Sequence, residues 1–341
     1  MLTDTATYHA LLTGLGIWDR STRGRLAVSG ADRVKYLHNV TTNDVKRLSP
    51  GQGQEAFVTS LQGKTLGYIS LLAEEERMLL RTDPGSLTPL LPHLRKYGVF
   101  DEVDLADISG ETFELHLFGP KAEEALRRAG AQVPPAREGN HRLTRIGDRL
   151  VRVVRESPTG LPGFSLIGAA ADADAVTSRL REQGAELGLV DVPPEIAEGL
   201  RIEAGTPVFG RDVTADNLPQ ELGRDSRAIS FVKGCYLGQE TVARIDALGH
   251  VNKCLKGLRF GDATEPVPEG SEIQIDSKKV GAITSSALSP STGSPIALGY
   301  IRATQAREGT EVSVVGPGGT VSATIHDLPM KSRAASGSSE R

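Results

Sequence analysis

The chain has 341 residues, of which 38% are apolar and 24% are charged, and its formal net charge is −4. This composition is typical of a folded globular protein, and the length favours two or three packed domains. The acidic balance argues against a protein built mainly to bind nucleic acid, so we expect no direct DNA binding, and RNA contact is disfavoured. No apolar run approaches the roughly 18 residues of a membrane span, so we expect no membrane association.

The N-terminal residues and the cysteines bear on the compartment. Residues 1–15 have neither a basic start nor an apolar core, so they predict no secretory signal. Cys235 and Cys254 are the only cysteines, which suits a reducing compartment, and we expect a cytoplasmic protein. No histidine lies at metal-ligand spacing from another histidine or a cysteine, so we predict no metal site.

The first 190 residues predict two successive α/β units. Alternating apolar positions indicate strands, and apolar residues on one helical face indicate helices. The first unit has a predicted helix over 31–38, a hairpin of strands 55–61 and 65–72, a strand over 77–81 and a helix over 86–97. The second has a strand over 112–118, a helix over 120–129, strands over 142–146, 150–154 and 163–166, and a helix over 172–183.

The rest of the chain predicts a third segment and a barrel. A helix over 195–204 should end at Gly205, which suits a left-handed cap. Six short strands with Gly and Pro turns then predict a small antiparallel barrel: 255–260, 272–275, 280–287, 297–301, 311–315 and 320–325. We therefore expect an α+β fold, with a multi-part body over 1–250, a barrel over 251–330 and a disordered tail over 331–341.

Two glycine-rich stretches resemble nucleotide-binding loops but lack the required context. Residues 58–65 end in Gly-Lys-Thr, yet the first glycine of a P-loop is missing and a strand pattern follows where a helix is needed. Residues 51–56 fit Gly-x-Gly-x-x-Ala, but no buried strand precedes them. We predict no nucleotide site at either place.

The most unusual stretch is the octapeptide Lys-Gly-Cys-Tyr-Leu-Gly-Gln-Glu at residues 233–240. Its two glycines permit a tight turn before a predicted helix over 238–247. Cys235 would lie just before this helix, whose N-terminus, together with Lys233, favours the thiolate. A small buried cysteine is the alternative, but the neighbours of Cys235 are polar. We predict a working thiol at Cys235 and a structural one at Cys254.

This octapeptide resembles the signature of the YgfZ family, folate-binding proteins that maintain iron–sulfur clusters and are related to the glycine-cleavage T-protein. Residues 37–45 and the Arg-Ile-Glu-Ala-Gly block at 201–205 are similar to further blocks of these families, in the same order. The resemblance implies a body around a central folate cavity, with tetrahydrofolate or a one-carbon derivative as cofactor. It implies Cys235 as catalytic residue and a folate-binding set of Glu203, Arg201, Lys233, Tyr236, Gln239 and Arg244.

Glu203 also has a chemical reason of its own. A pterin ring presents an amino group and a ring N–H side by side, and one carboxylate can accept both hydrogen bonds. An exposed glutamate paired with Arg201 at the helix end is the alternative. By resemblance, Glu203 is the pterin-anchoring position.

The chain departs from the T-protein at one important place. The T-protein carries an Asp pair after a Gly-rich turn, and one member assists methylene transfer to tetrahydrofolate. Here Gly67 and Tyr68 take those positions, so no general acid or base is expected there. Because aminomethyl transfer needs positioned proton-transfer groups, this departure argues against that activity and agrees with the YgfZ branch.

Three functions follow from the sequence. The first, by resemblance, is a tetrahydrofolate-binding protein that assists iron–sulfur cluster assembly or repair, with client enzymes, including tRNA-modifying ones, or assembly proteins as partners. The alternative is a folate-dependent aminomethyltransferase of the glycine cleavage system. The third is a non-catalytic RNA-associated module, but the aromatic content of 4% and the acidic balance offer it little support.

Overall fold

The computed structural model describes residues 5–330. Its first eleven strands are β1 (Leu15–Asp19), β2 (Gly24–Ser29), β3 (Gly53–Thr59), β4 (Thr65–Ala73), β5 (Met78–Thr82), β6 (Asp104–Asp107), β7 (Thr112–Phe118), β8 (His141–Ile146), β9 (Arg149–Arg155), β10 (Gly163–Ala169) and β11 (Leu189–Asp191). The later strands are β12 (Lys253–Phe260), β13 (Glu272–Ile275), β14 (Lys278–Leu288), β15 (Pro295–Arg302), β16 (Glu311–Gly316) and β17 (Gly319–His326). The helices are α1 (Thr5–Thr13), α2 (Arg33–Val40), α3 (Leu87–Tyr97), α4 (Ala122–Arg128), α5 (Ala173–Gly184), α6 (Pro194–Glu203), α7 (Asp225–Ala228) and α8 (Gln239–Leu248).

The first sheet holds five antiparallel strands in the order β3-β4-β5-β2-β6. Strand β4 alternates buried and half-buried side chains over most of its length, which is the pattern of a strand with one face in the core. Helices α2 and α3 supply Leu37, Leu90 and Leu94 to the same apolar cluster as Leu71 and Leu80 of the strands. The helices thus cover one face of the sheet.

The second sheet has six strands in the order β11-β1-β7-β10-β9-β8. Strands β1 and β11 pair in parallel, whereas the other pairs are antiparallel. Helices α4 and α5 place Leu126 and Leu180 in its core. The two sheets meet through an apolar cluster of Leu72 and Leu79 from the first and Val154 and Ile167 from the second.

The C-terminal strands close into a barrel in the order β12-β15-β14-β13-β16-β17, with β17 pairing back to β12. Its interior is apolar and includes Leu258, Ile273 and Ile325. Helix α6 packs on β14 and β15 through Gly199, where a Cβ atom would lie 2.5 Å from the carbonyl oxygen of Leu288. Only glycine allows this close approach of helix and barrel.

The α+β class and the six-stranded antiparallel barrel predicted from the sequence are confirmed. The first predicted helix, over 31–38, is displaced by two residues from α2, which spans Arg33–Val40. Helix α1, strands β1, β6 and β11 and most of β2 were not predicted. None of these strands alternates buried and exposed positions, so the pattern that indicates a strand is missing. The predicted tail over 331–341 lies outside the described residues, and the boundaries at 250 and 330 stay a prediction.

Candidate functional site

A cavity of about 330 Å³, called here the first cavity, lies where the two sheets meet the loop after α6. Its wall comes from several parts of the chain: residues 20–23, β3 and β4, Asp83 after β5, the loops at 137–139 and 156–158, and residues 206–207 and 224–227. Five arginines and four carboxylates line it: Arg20, Arg23, Arg137, Arg224, Arg227, Glu55, Asp83, Glu138 and Glu156. Its size is in the range of small-molecule sites.

Tyr68 and Glu55 form a pair on one wall of the first cavity. Phe57 is the register partner of Tyr68 in the β3–β4 hairpin, and Glu55 lies two residues from Phe57 on the same face. The Tyr68 hydroxyl donates a short hydrogen bond to Glu55 Oε2, and Arg227 Nη2 lies 2.7 Å from Glu55 Oε1. The sequence left no carboxylate at positions 67 and 68, but the neighbouring strand brings one to Tyr68.

A buried ion-pair cluster borders the same cavity. Arg81 on β5 donates to both oxygens of Glu114 on β7, at 2.8 and 3.2 Å, and to both oxygens of Glu156, at 2.8 and 2.9 Å. Burial alone would raise the pKa of Glu114, but Arg81, Arg23 and Arg20 lower it to about 2. Both carboxylates are therefore ionised and have little capacity left to accept from a ligand.

A second cavity, of about 660 Å³, opens beside the octapeptide. Cys235 is exposed and lines it together with Tyr236 and Gln239. Helix α8 begins at Gln239, so Cys235 lies shortly before the helix as predicted. Cys254, by contrast, is half-buried on β12, where burial raises the pKa of its thiol.

Lys233 points away from Cys235 into the protein. Its ammonium donates to the carbonyl oxygens of His38, Thr41 and Asn43, the last two at 2.6 and 3.0 Å. It also lies 4.7 Å above the Tyr236 ring. Burial lowers the pKa of Lys233 to about 7. The side chain therefore ties the octapeptide to the end of α2. Its contacts are with these carbonyl oxygens and not with the Cys235 thiol, which the sequence analysis expected it to support.

Arg201 and Glu203 join α6 to the barrel. Arg201 is buried and donates to Glu198, to Asp212 at 2.7 Å and to Ser285 of β14 at 2.7 Å. Glu203 is half-buried, and its Oε1 accepts from the hydroxyls of Ser289 and Ser291 in the loop after β14. Neither lines the first cavity, and the alternative pairing of Arg201 with Glu203 is replaced by the Arg201–Glu198 pair.

The predicted site residues divide into three groups in the structure. Cys235, Tyr236 and Gln239 meet at the second cavity. Lys233, Arg201 and Glu203 hold parts of the chain together, and Arg244 is exposed on α8 away from the lining of both cavities. None of the seven lines the first cavity, and their assignment to folate stays a prediction.

Sequence reasoning missed the polar wall of the first cavity. Glu55 lies within residues 51–56, the stretch that resembles a dinucleotide-binding loop, and Gly53 and Gln54 beside it also line the cavity. Asp83 accepts from the backbone N–H of Phe209 at 2.7 Å, which links β5 to the loop after α6. The sequence did contain one signal: Glu55 is a charged residue within a predicted strand. A half-buried charge needs a partner, so this position could have indicated a polar site.

Residues 5–330 offer no group of three or more His, Cys, Asp or Glu side chains that could hold a metal ion. Within the same range, no helix is both long and apolar enough to cross a membrane.

Comparisons with known proteins agree with this architecture. The GCVT N-terminal domain model matches residues 4–233, and the glycine cleavage T-protein C-terminal barrel domain model matches residues 253–331. Among solved structures, glycine cleavage system aminomethyltransferase T from Bartonella henselae superposes with a TM-score of 0.86 at 22% identity, covering 96% of this chain and 89% of that one. At 22% identity, this similarity shows that the two proteins share a fold.

Two curated relatives are similar over most of their length. An aminomethyltransferase of Halalkalibacterium halodurans is 30% identical over 311 residues, which are 90% of this chain and 84% of the relative. An aminomethyltransferase of Symbiobacterium thermophilum is 28% identical over 332 residues, which are 94% of this chain and 88% of the relative. Because the N-terminal model alone spans more than half of the sequence, the chain belongs to the glycine cleavage T-protein (GCVT) family.

Proposed function

We propose that the chain binds a tetrahydrofolate in the first cavity. Aminomethyltransferases of this family use tetrahydrofolate, the cofactor that the resemblance implied for this chain. The observation that carries the proposal is the mixed charge of the cavity wall. A pterin presents N–H groups, from which Glu55 and Asp83 can accept hydrogen bonds. The glutamate tail of a folate presents carboxylates, which an arginine that is not paired with Glu55, such as Arg224, can bind.

For the activity, the relatives support folate-dependent one-carbon transfer, the alternative considered above, better than iron–sulfur maintenance. In such a reaction the bound tetrahydrofolate accepts the one-carbon unit. The chain's own residues would bind and orient the folate, with Tyr68 and Glu55 at the pterin and Arg224 at the charged tail. This assignment places the folate away from the octapeptide.

A calorimetric titration with tetrahydrofolate tests the binding. We expect a dissociation constant in the micromolar range, about −8 kcal/mol. Arg224→Ala should weaken binding by about tenfold through loss of a charged hydrogen bond. Arg302→Ala, an exposed change on the barrel, should leave the affinity unchanged. A wild-type protein that releases no heat with tetrahydrofolate contradicts the proposal, and turnover with a complete glycine-cleavage partner system supports the transfer activity.

A YgfZ-type role in iron–sulfur maintenance is the second candidate. Two observations favour it: the exposure of Cys235 at the second cavity and the absence of carboxylates at Gly67 and Tyr68. Its partners would be iron–sulfur client enzymes or assembly proteins in the cytoplasm. Cys235→Ser should fold and bind folate but lower client-enzyme activity in cells, whereas Cys254→Ser should not. Full complementation by Cys235→Ser, with no alkylation of the folded wild-type thiol, would exclude this candidate.

A further inference from the structure

The Tyr68 hydroxyl is fixed in one orientation within the first cavity. The Tyr68 ring stacks on Phe57 with their centroids 5.1 Å apart and an interplanar angle of 28°. Phe57 is buried, so the stack is packed from behind. The hydroxyl proton points to Glu55 Oε2, because a carboxylate can only accept. The remaining polar capacity of the phenol is the pair of lone pairs on its oxygen.

Glu55 also contacts an arginine in this arrangement. Arg227 lies 2.7 Å from Glu55 Oε1 and 2.8 Å from Glu138 on the rim of the cavity. Burial, together with the charge of Glu55, raises the pKa of Tyr68 well above its usual value. The phenol therefore stays neutral, and its proton is donated to Glu55. Toward a ligand, the Tyr68 oxygen can accept a hydrogen bond but cannot donate one.

We propose that Tyr68, positioned by Glu55, makes the first cavity selective for reduced pterins over oxidised ones. The inference rests on the proposed binding of a folate in this cavity. Ring nitrogens N5 and N8 carry hydrogens in tetrahydrofolate but are acceptors in oxidised folic acid. The Tyr68 oxygen, as a fixed acceptor, can take a hydrogen bond from a ring N–H of the reduced pterin. Against the oxidised ring, it would face a ring nitrogen that is itself an acceptor. Sites built around a ligand hydrogen reject analogues that lack it.

The experiment compares the affinities of tetrahydrofolate and folic acid by anaerobic calorimetry at pH 7.5. The wild type should prefer tetrahydrofolate by about tenfold or more, in line with the loss of one hydrogen bond. In Glu55→Gln the amide can donate to the Tyr68 oxygen, which frees the phenol proton for an oxidised ring. The preference should then fall to about threefold or less, and Tyr68→Phe, which lacks the hydroxyl, should lower it similarly.

Glu76→Gln is the matched control, since Glu76 is exposed on the turn between β4 and β5, and it should keep the wild-type preference. Thermal unfolding checks each variant, and Tyr68→Phe alone decides if Glu55→Gln does not fold. A wild type that binds neither folate contradicts the proposed function itself. A wild type that binds tetrahydrofolate without preference, or keeps its preference in the variants, overturns the selection by Tyr68 and leaves the folate site standing.

Discussion

The polar residues of this protein take their roles from partners far along the chain. Glu55 meets Tyr68 across a strand pair, and Arg227 reaches Glu55 from the segment after α6. Lys233 binds carbonyl oxygens that lie some 190 residues earlier. Such contacts fix which atoms remain available to a ligand, and for Tyr68 the available atom is an acceptor.

Glu203→Ala separates two roles of this residue. The side chain accepts from Ser289 and Ser291, so its removal leaves two hydroxyls of the barrel loop without their acceptor. We expect the free energy of unfolding to fall by about 1–3 kcal/mol, the usual range for a hydrogen bond to a charged group. Urea denaturation measures this change. If stability holds while the affinity for tetrahydrofolate falls in calorimetry, Glu203 is the pterin anchor inferred by resemblance.

Two buried histidines should make the protein sensitive to mild acid. Burial, with nearby arginines, lowers the pKa of His116 to about 3 and that of His141 to about 4. Between pH 6.5 and these values the unfolded chain binds the proton and the folded chain does not, so stability falls as pH falls. Each histidine should therefore lower the free energy of unfolding by about 2 kcal/mol at pH 5, relative to neutral pH.

Urea denaturation at pH 7.5 and pH 5.0 tests the two histidines. In His116→Asn, which cannot titrate at position 116, the loss of stability between the two pH values should be smaller by about 2 kcal/mol. An equal loss in wild type and variant would show that His116 is protonated in the folded state.

At the scale of secondary structure, periodicity predicted most of the helices and strands, including the six strands of the barrel. The barrel strands alternate between interior and solvent, and most of their predicted spans overlap the observed ones. Strand β6, with the sequence Asp-Leu-Ala-Asp, is short and mostly exposed, and its place follows from pairing with β2. Pairing between distant segments leaves no local pattern, so β1, β6 and β11 could not be predicted.

Gly199→Ala tests the contact of α6 with the barrel. In an open helix this change would add about 1 kcal/mol of stability. Here the new Cβ would lie 2.5 Å from the Leu288 carbonyl oxygen and 2.6 Å from Pro290 Cδ. We therefore expect a loss of about 1–3 kcal/mol, as for other overpacked contacts, measured by urea denaturation. Gly110→Ala is the control, because its Cβ would meet open space. Equal effects at both positions would argue against close packing at Gly199.

At the scale of the whole molecule, the first cavity exists because several distant segments meet. The sequence predicted the two α/β units and the third segment that enclose a cavity, but not which side chains face it. Glu55 and Arg227 are 172 positions apart and Asp83 and Phe209 are 126 apart, and no local pattern connects them. The octapeptide was conspicuous in the sequence, yet it lies at the second cavity.

A buried cluster of charged side chains joins the two sheets beside the first cavity. Arg81 of the first sheet is fully buried and binds Glu114 and Glu156 of the second unit. Arg81→Met removes the cation but keeps most of the volume, which leaves two buried carboxylates with weaker partners. Removing one partner of a buried pair typically costs about 3–5 kcal/mol.

Arg77→Met is the matched comparison for this cluster, because Arg77 pairs with Glu74 at 2.9 Å but its side chain is 43% exposed. Exposed pairs contribute about 0–1 kcal/mol, so this variant should unfold close to the wild type in urea. Because Glu156 also lines the first cavity, Arg81→Met should weaken tetrahydrofolate binding as well, whereas Arg77→Met should not. Equal losses of stability in the two variants would mean that the sheets are held together by their apolar contact alone, with the charged cluster contributing no more than a surface pair.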